Sequence, residues 1–257
     1  MTEHIINSIK EAQLVLIGIG EEFDLKKLIR QDKRYQEVIE GLANEWLIPF
    51  VEKAFLEKAG NEYLEAYKQL AHCLQDKNYF IVSLCQDGFI RLSGLDTVRM
   101  VEPCGTYDKL QCSEGCSRDL YNVPEELKEQ VNLWLQGEIS ETEIERPVCL
   151  GCGKPLEFNL VETANYNEDG YLEKWQKYKL WLQGTVNKKL CVLELGVGMK
   201  YPTVIRWPFE KVVYFNQKAE LFRVHSKLYQ MTEEIKDKGF GICSKPVDFV
   251  KELYNKF

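Results

Sequence analysis

Four apolar runs, each followed by a glycine or a polar turn, narrow the folds open to this chain more than any other feature. They are Gln13–Gly20, Tyr79–Leu84, Leu190–Gly198 and Val212–Asn216. A short run with no polar alternation marks a strand buried on both faces. Between the first two runs, roughly Glu21 to Gln75, apolar residues fall near helical spacing, as in Leu42, Trp46, Phe50, Ala54 and Phe55. Pro49 is expected to kink or divide that segment. A further helical stretch carries Trp175, Tyr178 and Trp181, and a short run near Ile242 leads into a C-terminal helix from Pro246 to Tyr254. Buried strands separated by helices predict an α/β fold with a parallel, Rossmann-like sheet covered on both faces. Ligands of such sheets bind beyond the carboxyl ends of the strands. Gly18, Gly20, Asp87, Gly196, Gly198 and Asn216 are all expected there.

The composition is that of a globular protein: 257 residues, 45% hydrophobic and 28% charged. Disordered and fibrous classes are excluded. A net charge of −7 argues against a phosphate-neutralising surface, so nucleic acid is not an expected partner. The run from Leu14 to Gly20 is too short to span a bilayer. The first ten residues lack a basic segment followed by an apolar core, so no secretion signal is expected. A cytoplasmic protein with no membrane partner is the expectation.

Nine cysteines then need an explanation. Cys112 and Cys116 form a C-x3-C knuckle, and Cys149 and Cys152 a C-x2-C knuckle followed by Gly153. Tight turns at Gly115, Gly151 and Gly153 let thiolates converge on one ion while backbone N–H groups point at sulfur. Four such thiolates fit the closed tetrahedral shell of a structural zinc ion. Gly18-Ile19-Gly20, by contrast, lacks the third glycine of the dinucleotide fingerprint and runs directly into Glu21-Glu22. Alone it reads as a tight turn.

Taken together, these pieces resemble a sirtuin over roughly Leu14 to Pro246. The most specific stretches are Cys104-Gly105-Thr106-Tyr107 through Gln111-Cys112-Ser113, Leu193 to Pro202, and Ile205 to Glu210. They are most similar to the bacterial branch linked to macrodomain proteins and to protein ADP-ribosyl transfer. The resemblance implies a nucleotide-binding domain over 1–20, 77–106 and 159–257, a helical module over 21–76 and a zinc-ribbon module over 107–158. It implies NAD or ADP-ribose as ligand and an unidentified acceptor or partner protein. By position, Gly18, Gly20, Cys85, Asp87, Gly196, Gly198 and Asn216 fall on the family's nucleotide contacts. Cys112, Cys116, Cys149 and Cys152 fall on its zinc ligands.

The departures are specific. Cys85 replaces the ribose-binding asparagine, and Asp87 keeps the aspartate of the nicotinamide pocket. Cys104 replaces the catalytic histidine, and Gly196-Val197-Gly198 loses two hydroxyls that contact phosphate. The Phe-Gly-Glu that helps hold the acyl-lysine peptide is absent near Thr163. A thiol near pKa 8.5 is a poor substitute for an imidazole at neutral pH, so ordinary deacylation is not expected. The candidate catalytic residues are therefore Asp87 and Cys104, with Cys85 and Cys104 expected in one pocket. The expected function is NAD-dependent ADP-ribosyl transfer, the alternative a catalytically silent nucleotide sensor or scaffold of sirtuin fold.

Overall fold

A computed structural model describes residues 2–257. The chain runs α1 (Thr2–Glu11), β1 (Leu14–Ile19), α2 (Lys26–Ile29), α3 (Lys33–Glu40), α4 (Ile48–Ala59), α5 (Asn61–Cys73), β2 (Tyr79–Ser83) and β3 (Met100–Val101). It continues through β4 (Gly105–Cys112), β5 (Tyr121–Asn122), α6 (Glu125–Gln136), β6 (Leu156–Leu160) and α7 (Asp169–Gln183). The last elements are β7 (Leu190–Leu195), α8 (Arg206–Phe215), β8 (Ala219–Val224), β9 (Gly239–Ile242) and α9 (Pro246–Lys256).

Six strands pair in the order β3-β2-β1-β7-β8-β9, all parallel. Side chains alternate between the two sides. Val15, Ile17 and Ile19 enter an apolar cluster with residues of α1, α5 and α9, while Leu14 and Leu16 enter another with residues of α7 and α8. Every residue of β1, β2 and β7 is buried, as expected of strands covered twice. The chain leaves β1 toward β2 and β3, then returns to the other side of β1 as β7. The switch point of the sheet lies between β1 and β7.

A second, antiparallel sheet, β5-β4-β6, carries the cysteine knuckles. Its inner face shares one apolar cluster with α4, through Phe50 against Phe158 at a centroid distance of 4.6 Å. The Tyr107 hydroxyl donates to the buried Glu52 of α4 at 2.5 Å. No helix among the described residues is long and apolar enough to cross a membrane.

Three expectations change. Pro49 does not divide a helix; it stands in the first turn of α4, where its missing N–H is harmless. The run Val212–Phe215 is helical, not a strand, because Phe209 and Val213, four residues apart, face the sheet together. Adjacent β-branched residues imitate a strand there. The strand of that region is β8, and Asn216 lies between α8 and the amino end of β8. Gly18 is not part of a turn either. It lies within β1, where a Cβ would stand 2.4 Å from Ile205 Cγ2 and 2.9 Å from Phe209 Cε2. Glycine at 18 lets α8 press onto the central strand.

Candidate functional site

The turns that follow β1 and β7 are locked together at the switch point. Gly20 donates to Leu195 O at 2.9 Å and Glu22 N to Gly196 O at 3.0 Å. A Cβ on Gly20 would lie 2.3 Å from Val197 Cα, so two backbones cross where no side chain fits. Gly196 sits at φ +67°, the left-handed region, which turns the chain back from β7. Beyond these turns opens a cavity of about 770 Å³, lined by Glu21, Glu22, Asp24, Lys26, Gln86, Cys104, Glu162, Lys200, His225 and Ser226, among others.

One wall is a polar chain. The Gln86 side-chain amide donates to Cys104 O at 2.9 Å and to Glu162 Oε2 at 2.8 Å, and its oxygen accepts from Lys26 Nζ. Lys200 Nζ donates to Glu162 Oε1 at 2.7 Å. Burial pushes the Glu162 carboxyl up, but the Gln86 amide and the Lys200 ammonium outweigh it and bring the pKa down to about 2. Glu162 is thus an ionised carboxylate at neutral pH. Cys104 lines the same cavity, and burial, reinforced by Glu162, pushes its thiol up to about 12. It cannot act as a thiolate at neutral pH.

Asp87 lies under this wall. Its Oδ1 accepts from Phe89 N at 3.0 Å, while Oδ2 is buried without a partner. Burial first, and the neighbouring Asp24 second, push its pKa well above the usual carboxylate range. Cys85 is fully enclosed, its sulfur 3.4 Å from Gly20 O, and burial pushes its pKa well up. Neither residue lines the cavity. Cys85 packs in the cluster on the α5 side and Cys104 in the cluster on the α8 side, and both are free thiols. The shared pocket expected for the two is not formed: Cys104 lines the cavity, whereas Cys85 is enclosed behind it.

Asn216 is the clearest displacement. Its amide donates to Thr185 O and Lys188 O, each at 3.0 Å, and its oxygen accepts from Lys218 N. These bonds hold it at the amino end of β7 and β8, the edge opposite the cavity. It therefore cannot meet a ligand there. His225 and Ser226 follow β8 and reach the cavity instead. Gln86, Glu162, Lys26 and Lys200 are site residues that sequence reasoning did not single out. Glu162 is placed by pairing of Val161 N with Cys104 O at 3.0 Å, a long-range contact with no local signature.

The four knuckle cysteines come together. Their sulfurs all lie within 4.8 Å of one another, with Cys112–Cys152 and Cys116–Cys149 at 3.5 Å. Sulfurs about 2.3 Å from one ion in a tetrahedron stand about 3.8 Å apart, so the set fits a metal. Backbone N–H groups of Cys152 and Gly151 point at the Cys149 sulfur and pull its pKa down to about 6, as a thiolate ligand requires.

No family model matches this chain. Solved structures match it along nearly its whole length. One of Sir2Tm bound to a propionylated peptide is 14% identical with a TM-score of 0.57, covering 99% of this chain and 98% of that one. Another, of Sir2 with a p53 peptide and NAD+, is 13% identical with a TM-score of 0.57, covering 100% and 98%. The chain has the sirtuin fold. Among curated proteins, this sirtuin-fold chain is 29% identical over 176 residues to a probable bifunctional ADP-ribose hydrolase/ADP-ribosyltransferase of Fusarium oxysporum f. sp. cubense, covering 62% of this chain and 29% of that protein. It is 23% identical over 176 residues to a protein ADP-ribosyltransferase of Staphylococcus aureus (strain Mu50), covering 68% and 55%. The chain thus spans less than two thirds of the length of either relative.

Proposed function

We propose that this sirtuin-fold chain takes NAD or ADP-ribose into the cavity at the β1/β7 switch point and serves NAD-dependent ADP-ribosyl transfer to a protein acceptor. The observation that carries this reading is the position of Glu162, held by Gln86 and Lys200, in the same cavity as Cys104. Deacylation needs a base to activate a ribose hydroxyl, and a thiol near pKa 12 is none. ADP-ribosyl transfer needs a different group. As the bond from ribose C1′ to nicotinamide breaks, positive charge grows on the ribose and nicotinamide leaves neutral. The acceptor nucleophile bonds to C1′ and releases its proton to solvent. A fixed carboxylate stabilises that charge, and Glu162 is oriented for it by Gln86 and Lys200. The names of the two curated relatives support the same reaction.

In this reading Cys104 shapes the pocket wall. Asp87, buried behind the cavity and accepting from Phe89 N, holds the loop after β2 in shape. Gly20, Gly196 and Gly198 shape the turns behind the cavity, and the division into sheet, helical and ribbon modules keeps those turns within the sheet domain. Zinc at Cys112, Cys116, Cys149 and Cys152 holds the ribbon, with no vacant position for substrate.

A second reading, a nucleotide sensor without turnover, is favoured by one observation: Cys104, buried in the cavity wall, offers no basic side chain at its position. Calorimetric titration with NAD and ADP-ribose, paired with nicotinamide release in the presence of cell extract, separates the two. Binding with release that Glu162→Gln abolishes supports transfer, and binding without release supports the sensor. Absence of binding to a folded, metal-loaded protein rejects both.

A further inference from the structure

The ends of three adjacent strands meet around two consecutive acidic residues. Glu21 Oε2 accepts from Gly198 N at 3.3 Å and Oε1 from Lys200 N at 3.1 Å. Glu22 Oε2 accepts from Ser226 N at 2.9 Å, and Oε1 accepts from the Ser226 hydroxyl. A Cβ on Gly198 would stand 2.4 Å from Glu21 Oε1, so glycine at 198 is what lets the carboxylate reach the turn. Backbone N–H groups in the turns beyond parallel strands, at the switch point, are the donors a phosphate uses in folds of this type. Here an acidic side chain from the turn after β1 already holds those after β7.

We infer that Glu21 is a built-in occupant of the anion position of this cavity, and that a diphosphate ligand must displace it to bind. The inference rests on the proposed function for the identity of the natural ligand, but not for the competition itself. Charge at the mouth is of the opposite sign. Lys27, Lys227 and Lys245 also line the cavity, so an anion is drawn in electrostatically and then meets Glu21. The carboxylate gains two hydrogen bonds from the turn that a phosphoryl group would otherwise make. Every ligand with a diphosphate is weakened by it, and ligands without phosphate are not. Glu21 thereby acts as a selectivity residue.

The test is titration calorimetry on the full metal-loaded chain with three probes: inorganic pyrophosphate, ADP-ribose and adenosine. Glu21→Ala frees both N–H groups and is expected to bind pyrophosphate and ADP-ribose at least about tenfold more tightly than the parent. Adenosine affinity should not move. Glu21→Gln keeps an acceptor of the same size without the charge and should fall between the two, and it stands in if the alanine variant does not fold. Equal pyrophosphate affinity in the parent and both variants overturns the inference, as does no pyrophosphate binding to a folded variant. If pyrophosphate tightens but ADP-ribose binds none of the three proteins, the competition is upheld and the nucleotide reading fails. If ADP-ribose binds all three equally, the nucleotide reading survives and the role of Glu21 does not.

Discussion

Replacing Glu194 tests the packing that aims the switch-point turn. Glu194 of β7 and Arg223 of β8 are paired neighbours in the sheet, both on the α8 side, with side chains 0% and 1% exposed. Arg223 donates to both oxygens of Glu194, to Glu210 Oε1 of α8 at 2.7 Å and to Gln230 O at 2.8 Å. Glu194→Leu strips the guanidinium of its closest partner while keeping the volume near that of the original. Removing one member of a buried pair costs about 3–5 kcal/mol because the other charge stays buried. Glu210 remains to share it, so the lower figure, about 3 kcal/mol, applies. Unfolding entropy scales to about 0.5 kcal/mol per kelvin for 257 residues, so Tm should fall by about 6 °C. The decisive comparison is the double variant Glu194→Leu/Arg223→Met, which removes both charges of the pair and should recover part of the loss, the rest being held back by Glu210, left without Arg223. Thermal unfolding followed by circular dichroism reads both. A single variant within about 1 kcal/mol of the parent, or a double variant no better than the single, would refute the reasoning.

Four shorter tests address the site and its supports. Burial holds Cys104 at about 12, so at pH 8 iodoacetamide should label it at least about 100-fold more slowly than the exposed Cys243, read by peptide mass spectrometry. Comparable rates would remove the case against a thiolate base. Glu162 titrates at about 2 when folded and near 4.5 when unfolded, so its contribution is complete above pH 4.5 and lost as pH falls toward 2. Its side chain is 42% exposed, so solvent screening leaves about 1 kcal/mol, and Glu162→Gln should flatten the acid limb of the stability curve by that amount. Chelation of the metal should melt the β4–β6 ribbon and expose Cys112 and Cys149 to thiol reagents, and full protection after complete metal removal would reject a structural ion. Gly18→Ala should destabilise by about 1–3 kcal/mol through the clash with Ile205 and Phe209, with pyrophosphate affinity unchanged, because residue 18 lies outside the cavity.

The sheet was legible because burial on both faces writes itself into local sequence: Leu14–Ile19, Tyr79–Ser83 and Leu190–Leu195 stand as near-unbroken apolar runs. The cysteine cluster was legible because its four residues come in two short knuckles. Other features were hidden for identifiable reasons. Helix α1 holds Ile5, Ile6 and Ile9 to the sheet, but its ten residues offer too short a period to stand out. Strand β8 contains Glu220, which meets Ser8 and His4 of α1, and Arg223, which pairs with Glu194 and Glu210, so its run is broken by charges whose partners lie on distant segments. Position 216 was misplaced by one element for the same reason: Val212-Val213 resembles a strand until Phe209 and Val213 are seen sharing a helical face. The polar wall of Gln86, Glu162 and Lys200 joins three distant segments and has no local signature.

The acidic pair at 21 and 22 shows how sequence and structure assign different causes to one observation. In sequence, two carboxylates after a G-x-G turn argue against a phosphate site, since they would repel a pyrophosphate. In the structure they are not free to repel from a distance. Each is already hydrogen-bonded to the turn of a neighbouring strand, Glu21 to the one after β7 and Glu22 to the one after β8. A turn that retains inward-facing N–H groups, and a glycine at 198 that keeps them reachable, has preserved the means of binding an anion. What has changed is the identity of the anion. On the inference drawn above, the Glu21 carboxylate is an internal acceptor standing where an external one would bind. On that account the acidic pair is compatible with an intact nucleotide cavity, and the affinity of Glu21→Ala for pyrophosphate decides whether the exchange is reversible.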